Sequence, residues 1–166
     1  MINLPIPDFP TGIMRGRFHP SDGNLYMCGM SAWGTQQILE PGGLYRMRYT
    51  GEPAILPIEI NALTTGMKLT FAAELDKTVA ENVKNYSIST WRLVRSSEYG
   101  SDHYDERSIR VQAAELGDDR RTVLLRINNM KPVWQMQIEY NLRSASGLIT
   151  SGKVHSTIHN LNSLNM

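Results

Sequence analysis

Along most of this chain apolar and polar residues alternate with a period of two, as strands with one buried face require. Met67, Leu69 and Phe71 alternate with Lys68 and Thr70, and Tyr86, Ile88 and Thr90 with Ser87, Ser89 and Trp91. Runs of the same kind span Ile58 to Leu63, Tyr86 to Arg95, Ser108 to Ala114, Thr122 to Ile127, Met136 to Arg143 and Gly152 to Ile158. Gly, Asn, Asp and Pro punctuate the gaps. That spacing predicts a β-sandwich of about seven strands. One interruption is helical: Asp76 is a natural N-cap for Lys77 to Lys84, where Val79 and Val83 share a face. A helix this short depends on tertiary packing rather than on propensity.

The first third of the chain differs. Pro5, Pro7 and Pro10 mark an extended arm. Strands are then expected over Gly12 to Phe18 and Asn24 to Met30, around a turn ending in Asp22-Gly23, and over Leu44 to Tyr49 after Pro41-Gly42-Gly43. Leu25 and Met27 face away from Tyr26 and Cys28, so this strand is expected to be buried on both faces. Pro53 and Pro57 make Glu52 to Pro57 a linker or edge segment. The boundary divides a β-meander, residues 1–52, from a sandwich, residues 53–166.

Composition narrows the function classes. The chain has 166 residues, 41% of them hydrophobic, with 17 basic and 16 acidic side chains. The apolar share suits a packed core, and the balanced charge disfavours a nucleic-acid partner. No apolar run approaches the length of a membrane span. The N-terminal stretch has neither the basic nor the apolar region of a signal peptide. Cys28 is the single cysteine, so no disulfide framework forms within the chain, and it reads as a small core residue. The nine methionines read as adaptable core filling.

Candidate chemistry is sparse. His155 and His159 are four apart, but on a strand that is about 13 Å, too far for one zinc ion. The G-x-S-x-G, P-loop and G-x-G-x-x-G motifs are absent, and the chain is read as a non-enzyme with no cofactor and no metal. The polar stretch Ser96 to Arg107 is expected to project as a loop. Within it Tyr99, Asp102, His103, Tyr104 and Asp105 are the candidate ligand or partner contacts, joined by Trp33 from the meander. Trp91 is expected in the core or on a sheet face, and Trp134, after Lys131-Pro132, over the end of the sandwich.

Two segments together resemble a known protein family. RGRFHPSDGNLYMCGMSAWG (15–34) and PGGLYRMRYTGEP (41–53) resemble the closing propeller strands of large exported planctomycete-type proteins. Those proteins combine a sugar-dehydrogenase-like β-propeller with cytochrome c-type haem domains. Leu69-Thr70-Phe71, Leu75-Asp76, Asn85-Tyr86, Trp91 and Tyr99-Gly100-Ser101 are similar to the bacterial Ig-like module that follows the propeller there. The haem motif C-x-x-C-H is missing, since Gly29-Met30-Ser31 follow Cys28, so no catalytic or haem-binding residue carries over. The resemblance implies an Ig-like β-sandwich with one short inserted helix, preceded by a propeller remnant. It further implies an exported origin (periplasmic or extracellular) and an accessory role in domain spacing or protein interaction. The implied partners are other domains of a larger protein. Two alternatives stand beside it: a carbohydrate-binding module using exposed aromatics, and a fragment of a quinone- or haem-dependent dehydrogenase whose active site lies elsewhere. A homodimer through an exposed strand edge is a further expectation.

Overall fold

The computed structural model describes residues 1, 2, 6, 8–31, 40–52 and 54–163. The chain divides into two compact units, Pro5–Pro53 and Met1–Leu4 with Ala54–Met166.

In the smaller unit, strands β1 (Gly12–Phe18), β2 (Leu25–Met30) and β3 (Gly42–Met47) form an antiparallel meander in the order β1-β2-β3. The turn before β2 is built by Asp22, whose side chain accepts from the Asn24 amide at 2.9 Å and from the Tyr26 hydroxyl at 3.0 Å. Its small buried side centres on Met27, Gly29 and Thr11. There the Thr11 and Tyr45 hydroxyls lie 2.9 Å apart, and the Phe9 ring packs 5.1 Å from Tyr45. The expected burial of β2 on two faces does not hold: Met27 is buried, but Cys28 on the opposite face is exposed. Cys28 is therefore not a core residue.

The larger unit is a β-sandwich with one short helix. Its strands are β4 (Pro57–Leu63), β5 (Gly66–Phe71), β6 (Tyr86–Arg92), β7 (Tyr104–Ile109), β8 (Ala113–Leu116), β9 (Thr122–Arg126), β10 (Val133–Arg143) and β11 (Ile149–Ile158). One sheet runs β4-β5-β9-β8 and the other β11-β10-β6-β7, all antiparallel. Alternate residues point inward: Met67, Leu69 and Phe71 from β5, Val123 and Leu125 from β9, Ile88 from β6, and Met136, Ile138, Tyr140 and Leu142 from β10. The Phe71 and Tyr140 rings meet edge to face across the two sheets at 5.5 Å, a geometry the ring quadrupoles favour. The β4–β5 turn needs Gly66, at φ +149°, because a Cβ there would collide with the Leu125 carbonyl of β9.

The helix is shorter than the pattern predicts. α1 covers Lys77–Ala80 and a 3₁₀ turn covers Val83–Asn85. Asp76 caps α1, accepting from the Val79 amide at 3.1 Å, and takes a second bond from Arg143 at 2.8 Å. The Val79 bond and then the Arg143 guanidinium hold the Asp76 carboxyl below the usual carboxylate range. Tyr86, opening β6, donates to the Ala80 carbonyl at 2.8 Å, and burial pushes its phenol well above its ordinary value.

Several strand boundaries differ from expectation, two of them in consequential ways. The run Ser108 to Ala114 is not one strand: β7 ends at Ile109 and β8 begins at Ala113, each in a different sheet. Among the described residues the unit thus has eight strands. The last third of the expected loop, Tyr104 to Arg107, is strand. It lies at a sheet edge with its residues exposed, so it carries no apolar alternation to announce it. At the other edge, Ile2 bridges Val154 of β11, and the His155 amide donates to the Met1 carbonyl at 3.0 Å.

Candidate functional site

The outer face of the β11-β10-β6-β7 sheet carries its most concentrated side-chain cluster around Trp91. Register places Gln135 beside Trp91, and His155 and Ser89 on either side of Gln137. His155 Nε2 and Gln137 Oε1 are 2.8 Å apart, and the His155 ring stands edge-on to Trp91 at 6.4 Å. His103 stacks on the indole at 4.0 Å with 19° between planes. Its Nδ1 is 3.0 Å from Glu106 Oε2. Covered in this way, Trp91 is only 8% exposed although it points away from the core. It is a sheet-face residue, and it offers no open stacking platform.

A β-bulge shapes the neighbouring edge. Register shifts between the pairs Thr90–Arg107 and Arg92–Tyr104, so Asp105 and Glu106 together oppose Trp91. Asp105 sits at φ +54°, a region that Asp tolerates better than most residues. It pairs with the Arg92 guanidinium, which lies 5.5 Å over the Tyr104 ring. The structure thus brings His103, Tyr104 and Asp105 together with Trp91, Arg92 and Glu106. Tyr99 instead stands fully in solvent, and Asp102 is exposed with no side-chain partner among the described residues. Trp33 lies outside the described residues.

Three shallow clefts meet at this end of the sandwich. One of about 460 Å³ runs past Thr90, Arg92, Asp105, Arg107, Lys131 and Trp134. A second of about 260 Å³ shares Thr90, Arg107 and Lys131 and adds apolar walls from Ile127, Met130 and Met136. A third, about 200 Å³, lies on the other side of Trp134 against Thr157 and His159. Trp134 does not cover the sandwich end: it is 63% exposed. The pairing irregularity of β10 between Val133 and Met136 accompanies its outward position. Periodicity alone missed Arg107 and Lys131, which come from separate elements.

Among the described residues, no three His, Cys, Asp or Glu side chains gather closely enough to hold a metal ion. Nor is any helix there long and apolar enough to cross a membrane. No protein-family model matches the chain, and neither a curated protein nor a solved structure matches it.

Proposed function

We propose that this chain is a non-catalytic, Ig-like accessory module of a larger exported protein, acting in domain spacing or protein interaction. The observation that supports it is the strand order of the sandwich. Relabelling β4 to β11 as A, B, C, C′, D, E, F and G turns the two sheets into A-B-E-D and G-F-C-C′. Immunoglobulin-type domains use the ABED and GFC sheets, with C′ added at the edge in variable types. Domains of that architecture serve many roles, so the role itself rests on other features.

The interaction part draws on the meander. Ile13 and Phe18 of β1 lie by register on the Met27 face of the meander, and Met30 of β2 and Leu44 of β3 on the Cys28 face; all four are exposed large hydrophobics, as is Met14 of β1. Exposed apolar side chains on both faces of so small a sheet mark it as a surface for a partner. A neighbouring domain of the same protein or a second copy pairing along an open edge would be that partner. The export and larger-protein parts rest on the resemblance of residues 15–53 to propeller strands.

Sedimentation velocity over a wide concentration range tests the interaction. Self-association that disappears in the double variant Phe18→Ser, Leu44→Ser supports a second copy as the partner. A monomer at every concentration removes the homodimer. The gene upstream of Met1 tests the rest: propeller strands encoded in frame support the accessory reading, and an in-frame stop overturns it.

A further inference from the structure

We infer that the clefts around Trp134 form a binding site for an anionic oligosaccharide, with Arg107 and Lys131 holding its carboxylate or sulfate and the indole of Trp134 carrying a sugar ring. The inference goes beyond the accessory reading and stands without it.

Charge is the first ground. The chain as a whole is nearly balanced, at +1. Around the larger cleft, however, three cations, Arg92, Arg107 and Lys131, face one carboxylate, Asp105. Arg92 is already paired with Asp105. Arg107 and Lys131 are exposed and, among the described residues, have no acidic partner within ion-pair distance. They come from different elements, β7 and the β9–β10 connection, yet border the same two clefts. Two unspent cations at one mouth are a receptor for an anion.

Shape and polarity are the second. Trp134 exposes most of a large flat ring beside those cations. The negative face of an indole attracts the partly positive C–H face of a sugar. At about 460 Å³ the cleft lies within the size range of small-ligand sites. Thr90 borders both clefts, is 3% exposed, and its Oγ1 has no hydrogen-bond partner among the described residues. A buried hydroxyl left unbonded is costly, and movement of the exposed Arg107 side chain opposite it in register would let a ligand hydroxyl reach it. Cations, an open indole and an unsatisfied hydroxyl together fit an acidic sugar better than an acidic peptide, which needs neither the flat ring nor the hydroxyl.

The test titrates the whole chain, observed by NMR, with a hexuronate tetrasaccharide, a sulfated tetrasaccharide, a neutral tetrasaccharide and a hexa-glutamate peptide. The expected result is shifts centred on the Trp134 indole with at least one anionic sugar, weakened when salt is raised to about 0.5 M. The carboxylated and sulfated arms tell which anion is preferred. Trp134→Ala should weaken binding about tenfold, and Lys131→Gln should weaken it several-fold and flatten its salt dependence. Both side chains are exposed, and a melting curve checks that each variant folds; if Trp134→Ala fails to, Lys131→Gln decides. Equal binding of the neutral sugar, tighter binding of the peptide, no response to either anionic sugar, or binding that ignores Lys131→Gln would each overturn the site.

Discussion

Strand β1 has seven residues and strand β5 six, yet every residue of β1 is exposed and none of β5 is. Both contain glycine, and both pair antiparallel with a sequence neighbour. The difference is the layer beneath. β5 lies in the interior of its sheet, between β4 and β9, and faces Tyr140 and its neighbours from the second sheet. β1 is an edge strand of a three-stranded meander whose one buried hydrophobic, among the described residues, is Met27. Hydrogen-bonded pairing makes a strand; only a facing apolar layer makes a core.

The sharpest way to break this comparison is Phe71→Ala. Phe71 is fully buried, so truncation leaves a cavity against Tyr140 and should cost about 3–5 kcal/mol in denaturant unfolding. A cost near that of a surface substitution would mean that the two sheets do not share a packed core. Tyr86→Phe comes next. It removes one buried donor and leaves the Ala80 carbonyl unpaired, for about 1 kcal/mol by the same measurement.

Acid probes both units, since tied carboxylates titrate low in each: Asp22 in the meander, held by the Asn24 amide, and three in the sandwich. Asp76 is depressed by the Val79 amide and by Arg143, Glu115 by Arg126, and Asp119 by the Thr122 hydroxyl and the Arg121 and Thr122 amides. A carboxyl whose folded pKa lies below its unfolded one adds stability above the unfolded value. For Asp76 that contribution is complete at neutral pH, begins to fade as pH falls through 3.8, and is lost below the folded value. Melting temperature should therefore fall modestly below that point, because solvent screens these surface carboxyls. Asp76→Asn keeps a good N-cap but loses the charge, and should make the drop shallower. The smallest effects belong to exposed positions: Phe18→Ser in the meander and Tyr99→Ala in the loop should each change stability by under about 0.5 kcal/mol. A large loss from Phe18→Ser in a monomeric sample would reverse the comparison.

Much of this was legible in the alternation. The β1 strand, the inner face of β5 and the Asp76 cap follow from the pattern of residues. Three features were not, each for its own reason. Cys28 looked buried because β2 is apolar on both faces, but a pattern cannot tell whether a second layer exists to cover it. The edge strand β7 was hidden because the four residues between Tyr104 and Ile109 are all polar, as an exposed edge can afford to be. The candidate site was only half visible. His103, Tyr104 and Asp105 are close in sequence, whereas Arg107 of β7 meets Lys131 and Trp134 from the β9–β10 connection and the start of β10.

The bridge between Ile2 and Val154 gives the meander two anchors in place of one. Residues before it and after it both belong to the sandwich unit, so the meander is a closed insertion and not a free tail. Melting it would release a tethered loop, whose entropy gain is smaller than that of a segment with one loose end. A protease cutting within the insertion would nick the chain, while the strand bridge at Val154 kept the first residues attached to the sandwich.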